Sequence, residues 1–244
     1  MSIPRISAFA LAATMAALQP VGALAAGLQV APISLTLDAR RGADGLWLSN
    51  TGDATLNAQV RVFHWTQANG TDELAASRGL AVSPPMLKLE PGARQLVRVI
   101  RTGAAPAGHE DAFRLLVDEV PDAASQADGL NFVLRYSIPV FVASGPAVQS
   151  PPQLVWSLRD GAAMALEVAN TGSTHAQLAS LAFTGGDGAS IPISDGLLGY
   201  VLPGATMRWP LKADRGAFAH GGRLSARING EPLVAPIVLD APRP

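Results

Sequence analysis

Cysteine is absent from all 244 residues, so no disulfide can staple the fold and no thiolate can act as nucleophile or metal ligand. Histidine is scarce too: His64, His109, His175 and His220 are scattered with no HExxH-type spacing, so they read as structural or solvent-exposed and no metal site is expected. Neither a G-x-S-x-G elbow nor a glycine-rich phosphate loop occurs. Acidic residues such as Asp38, Asp118 and Glu119 are present, but a carboxylate needs a cleft before it can do chemistry. Together these absences argue against an enzyme and leave no reason to expect a cofactor. An excess of one charge is missing as well, with 18 basic residues dispersed among 19 acidic ones, so the phosphate-tracking stripe of a nucleic-acid binder is excluded.

Long apolar runs are missing everywhere except at the start. One cation, Arg5, precedes an apolar run from Ile6 to Leu18, and Ala23-Leu24-Ala25 follows, the pattern of a secretory signal over residues 1–25. The run is broken at Pro20 and is shorter than the roughly 20 residues a membrane span requires. Export without disulfides means that stability must come from buried apolar surface. The remaining chain is long enough for two domains of about 100 residues.

What is present is alternation. Apolar and polar residues take turns in Leu46-Trp47-Leu48, Gln59-Val60-Arg61-Val62-Phe63 and Leu96-Val97-Arg98-Val99, separated by clusters such as Asn50-Thr51-Gly52-Asp53 and Ala68-Asn69-Gly70. Period two with frequent turns predicts an all-β sandwich architecture. A domain boundary falls in the Gly145 to Pro152 stretch, dividing the chain into a first domain over 26–145, a linker over 146–152 and a second domain over 153–244. Val168-Ala169-Asn170-Thr171-Gly172 echoes Leu48-Ser49-Asn50-Thr51-Gly52, which suggests two related sandwiches in tandem.

The run from Leu130 to Val142 sets Leu130, Phe132, Leu134, Tyr136 and Ile138 on one face, and Asn131, Val133, Arg135 and Ser137 on the other. Apolar residues on both faces fit a buried central strand. At a sheet edge the same run would lend Leu130, Phe132 and Leu134 to another protein, since an exposed apolar edge of that length otherwise invites aggregation.

Ser83-Pro84-Pro85, the Glu90-Pro91-Gly92 turn with the basic strand through Arg98-Val99, Asp118-Glu119-Val120-Pro121, the strand ending Ile138-Pro139-Val140-Phe141, and Asn170-Thr171 fall in one order along the chain. In that order they resemble the PapD-like periplasmic chaperones of the chaperone–usher pathway. The resemblance implies two Ig-like sandwiches set as a boomerang. It also implies a non-enzymatic protein that stabilises pilus or fimbrial subunits by donor-strand complementation and delivers them to an outer-membrane usher. The donor strand then maps onto Leu130, Phe132, Leu134, Tyr136 and Ile138, with Phe132 the largest groove-filling group.

Two departures bear on the subunit's terminal carboxylate, which many family members hold with an Arg on the first strand and a Lys near the end of the donor strand. Here the first strand, read as Gln29 to Leu37, has no basic residue, and Pro139 stands at the Lys position. Arg98, Arg101 and Arg135 are the candidate replacements, Arg98 first. The missing anchor is similar to the archaic branch of the family, which implies spore-coat-U-like subunits as partners. An apolar edge left in water also predicts self-association of the free protein. Two other readings are a pilus or surface structural subunit and a ligand-binding periplasmic β-sandwich.

Overall fold

The computed structural model describes residues 27–121, 133–145, 150–161, 163–186, 188–213 and 215–237. Its first four-stranded sheet runs β1 (Leu28–Ala31), β3 (Ala43–Asn50), β8 (Arg94–Arg101), β6 (Leu80–Ser83). Against it packs a six-stranded sheet in the order β2 (Leu35–Leu37), β10 (Arg135–Val142), β9 (Asp111–Val120), β4 (Leu56–Ala68), β5 (Thr71–Ala76), with β7 (Met86–Leu89) on β4. Alternation works in β8 as the sequence pattern predicts, with Val97 and Val99 fully buried between the sheets, where Leu115 and Val117 of β9 join them. Each such side chain stabilises the sandwich by about 1.5–3 kcal/mol relative to exposure.

A second core lies between a three-stranded sheet and a four-stranded one. The first has the order β11 (Leu154–Arg159), β12 (Ala165–Asn170), β15 (Thr206–Pro210); the second has β14 (Ser190–Val201), β13 (Ala176–Gly185), β16 (Gly222–Ile228), β17 (Glu231–Ile237). One short 3-10 helix, Arg215–Phe218, seats Phe218 in that core. The linker expected over 146–152 falls partly outside the described residues.

The first strand departs from the single strand expected from sequence. Pro32 has no N–H to continue the ladder to β3, and the chain crosses to the other sheet, leaving Ile33 exposed between β1 and β2. Pro84-Pro85 marks a second crossing, since β6 and β7 belong to different sheets. Where a hairpin is wanted, the residues suit it: Asn69 and Gly70 have φ of 54° and 78°, the left-handed pair of a tight hairpin turn. That turn carries the β4–β5 hairpin to the second sandwich, where Gly70 bridges Met207.

Candidate functional site

Strand β10 is the element to which the site belongs. Only Val140, Phe141 and Val142 pair with β2, in parallel, so the outer edge from Arg135 to Pro139 has no strand beside it among the described residues. Leu134 C=O accepts from Glu119 N–H of β9, and Ala143 N–H donates to Leu37 C=O on the opposite side. Backbone direction alternates, so Val133, Arg135 and Ser137 turn their N–H and C=O groups outward, while Pro139 offers a carbonyl alone.

Side chains of β10 divide between two faces. Leu134 and Tyr136 pack beside the first core, and Ile138 is buried within it. Ile138, grouped from sequence with the partner-facing set, is corrected to a core residue, because alternation turns it between the sheets alongside Val140. Tyr136 is half-buried, and its hydroxyl donates to Leu28 C=O at 2.6 Å. Leu130 and Phe132 lie outside the described residues. At the other end, Phe141 leaves the first core and enters a small cluster with Trp65, Ala112, Tyr200 and Leu202, drawn from both sandwiches.

That cluster joins the two halves. Phe141 lies flat on the His175 ring, with centroids 3.4 Å apart and planes 3° from parallel. Glu110, buried in the same junction, accepts from the His175 backbone N–H and sits 2.7 Å from His175 Nδ1. Gln67 spans the gap as well, donating to Tyr200 C=O and accepting from Leu202 N–H.

None of the three arginines expected from sequence to hold a carboxylate is a free cation in this junction. Arg98 is corrected first: Val97 and Val99 point into the core, so Arg98 points to solvent from the four-stranded sheet, the one without β10. Arg101 folds back, donating to Gly103 C=O and Ala39 C=O. Arg135 does lie on β10, but it pairs with Asp118, which also takes two bonds from Arg61 at 3.0 and 2.7 Å.

Burial pushes the Asp118 carboxyl upward, but the hydrogen bonds and charges of Arg135 and Arg61 outweigh it and hold the group below the usual carboxylate range. A lowered folded-state value means stability that is present above the unfolded value of about 3.9 and lost as pH falls through the folded one. The wild type should therefore exceed Asp118→Asn in urea midpoint at pH 6, with the gap closing as pH falls below the unfolded carboxyl's value of about 3.9. A gap that stays constant across this range would contradict the pairing.

The cation that sequence reading missed is Arg114. Its register partners are Pro139 on β10 and Phe63 on β4, so it stands on the sheet face turned toward the second sandwich, directly beside Pro139. Its guanidinium carbon is 3.7 Å from the Trp65 ring and 5.3 Å from the Tyr200 ring. Burial lowers its pKa, against the pull of Asp72 and Tyr200, yet an arginine remains charged at neutral pH. The carboxylate that would pair with it, Asp72, is engaged by Trp65 Nε1 at 2.9 Å and Gln67 Nε2 at 2.8 Å. Arg114 thus lies against the Trp65 and Tyr200 rings, with no hydrogen bond from its guanidinium to an acceptor among the described residues.

Other functional candidates recede. Among the described residues no three His, Asp or Glu side chains converge as a metal set. The His64 ring packs on Phe113 at 5.2 Å.

Residues 27–145 match the family model for the N-terminal domain of PapD, described as a pili and flagellar-assembly chaperone. The chaperone protein PmfD of Proteus mirabilis is 26% identical over 147 residues, a match spanning 59% of this chain and 56% of that protein. In fold the chain is similar to a chain of the CsuC–CsuE complex of chaperone and tip adhesion subunit, from the archaic chaperone-usher Csu pili of Acinetobacter baumannii. The TM-score there is 0.69 at 24% identity, covering 88% of this chain and 100% of that one. It is also similar to a chain from the SafA pilin complex with the SafB chaperone of Salmonella enterica, with TM-score 0.61 at 20% identity and coverage of 87% and 95%. Its first sandwich thus matches the PapD N-terminal domain family, and its two-sandwich fold as a whole is similar to that of chains from chaperone-usher complexes.

Proposed function

We propose that this protein is a periplasmic chaperone, exported by the signal in residues 1–25, that completes pilus or fimbrial subunits by lending them the free edge of β10 and passes them to an outer-membrane usher. The observation that carries this reading is an edge rooted in the core at Ile138 and Val140 whose outer side, from Arg135 to Pro139, pairs with no strand among the described residues. A subunit strand added there gains main-chain hydrogen bonds whatever its sequence, and alternate side chains of Leu130, Phe132 and Leu134 set the register. We further assign the subunit's terminal carboxylate to Arg114, in place of the Lys that Pro139 replaces. A guanidinium fixed between rings, with its nearest carboxylate already engaged, is prepared for a bidentate anion.

The resemblance to the archaic branch makes spore-coat-U-like subunits the expected cargo. The test is periplasmic co-expression with a candidate subunit from the same gene cluster. The native chain should give a soluble one-to-one complex, and a Phe132→Asp, Leu134→Asp variant of unchanged fold should lose it. Equal recovery by both would move the binding surface off this strand.

A further inference from the structure

Resting on the assignment of Arg114 to the subunit carboxylate, we infer that Tyr200 of the second sandwich is a positioning residue for that cation, so the anchor is assembled by both sandwiches. Arg114 and Trp65 come from the six-stranded sheet of the first sandwich, but the second ring near the guanidinium, Tyr200, comes from β14. Tyr200 meets Trp65 edge-on, at 5.4 Å and 84°, so the two rings form a corner with the guanidinium set 3.7 Å from one and 5.3 Å from the other. A guanidinium held by one ring keeps the freedom to swing along it; the second wall removes that freedom before any anion arrives.

Tyr200 is itself held from several sides. It is 8% exposed. Its hydroxyl accepts from Gln177 Nε2 at 2.9 Å and its carbonyl from Gln67 Nε2 at 2.9 Å. Gln67 Nε2 also donates to Asp72 Oδ1 at 2.8 Å, the carboxylate whose release would capture Arg114. One glutamine of β4 therefore ties down the second sandwich's backbone at Tyr200 and occupies the competing anion together. The second sandwich is in this view part of the binding site for a chain terminus, not only a support for the first.

The experiment is an NMR titration of the Arg side-chain Nε–H signals of the full mature chain. The probe is a blocked Val-Thr-Val tripeptide, supplied as the free acid and as its C-terminal amide. In wild type the Arg114 signal should be ring-shifted and should prefer the acid by roughly tenfold or more. Tyr200→Leu should move the signal toward that of a free arginine and shrink the preference by about three- to tenfold, while Tyr200→Phe, which keeps the ring, should retain it. A merely structural role for Tyr200 would weaken acid and amide alike and leave their ratio intact; an intact ratio in Tyr200→Leu overturns the inference alone. No preference in wild type, or a full preference in Arg114→Gln, overturns the anchor assignment beneath it.

Discussion

Proline at position 137 will leave this protein folded and, if subunits add at β10 as proposed, cut its affinity for one by about a hundredfold or more. Ser137 is exposed, and its N–H points out from β10, away from the ladder to β9. Removing that donor costs the free protein nothing internal, and the preceding residue, Tyr136, already has the extended backbone that a following proline demands. Edge strands tolerate proline for this reason. In the proposed complex the same N–H would be central to the added ladder, between Arg135 and Pro139, and the proline ring would crowd the incoming strand. A loss of about 3 kcal/mol follows, against a melting temperature within a few degrees of wild type. Ser137→Ala is the control and should bind normally. Calorimetric titration of a purified subunit–donor complex or competitive co-purification reads the difference; near-equal binding by Ser137→Pro would mean that the edge is not where subunits add.

The largest loss of stability is expected from Asn50→Ala, about 3 kcal/mol, with Asn170→Ala close behind. Asn50 is 2% exposed, and its side chain serves three backbone groups: Nδ2 donates to Ala54 C=O and Leu89 C=O, and Oδ1 accepts from Gly52 N–H. Asn170, 1% exposed, does the same in the second sandwich, bonding Thr174 C=O, Val201 C=O, Gly172 N–H and Gln153 N–H. Truncation leaves several of these groups without a partner where water reaches them poorly, at about 1–3 kcal/mol for each one left unsatisfied. Asn→Asp at either site should be no milder, since a carboxylate cannot donate to two carbonyls. The two sites share no partner, so the effects should add in urea titrations. A loss under about 1 kcal/mol at Asn50 would show that the turn relaxes onto water.

These asparagines also show what can be read before folding. The repeat of Asn-Thr-Gly was visible in the sequence, and the structure explains it as the same brace used in each core. The Pro91-Gly92 turn was legible for a similarly local reason, because Gly92 needs its φ of 74° to end β7 and begin β8. Alternation in β8 was enough to predict that Val97 and Val99 go inward. It was not enough to say which sheet a strand joins, and there the reading of Arg98 failed: the basic position is real, but it sits on the other sheet.

Arg114 was passed over for the complementary reason. In Ala112-Phe113-Arg114-Leu115-Leu116 a lone arginine reads as the solvated position of a strand. A cation interrupting a run apolar on both faces was the available signal, but its meaning depends on Pro139 across the register and on Tyr200, 86 positions further on, reaching it from another sandwich. Non-local pairings of this kind have no local pattern. Tyr136 and Ile138 illustrate a milder limit, since period two says that they share a face with Leu134 but not how far along β10 the chain's own core extends.

Hydrogen–deuterium exchange of the protein alone and in complex with a co-expressed subunit measures the central claim most directly. If the free edge of β10 takes up the subunit's strand, the amides of Val133, Arg135 and Ser137 exchange fast in the free protein and become strongly protected in the complex. Amides that already bond to β9 should change little. Protection confined to other surfaces, such as the solvent face of β3 and β8 around Trp47 and Arg98, with the β10 edge still exchanging freely, would contradict strand addition as the way this protein holds its partner.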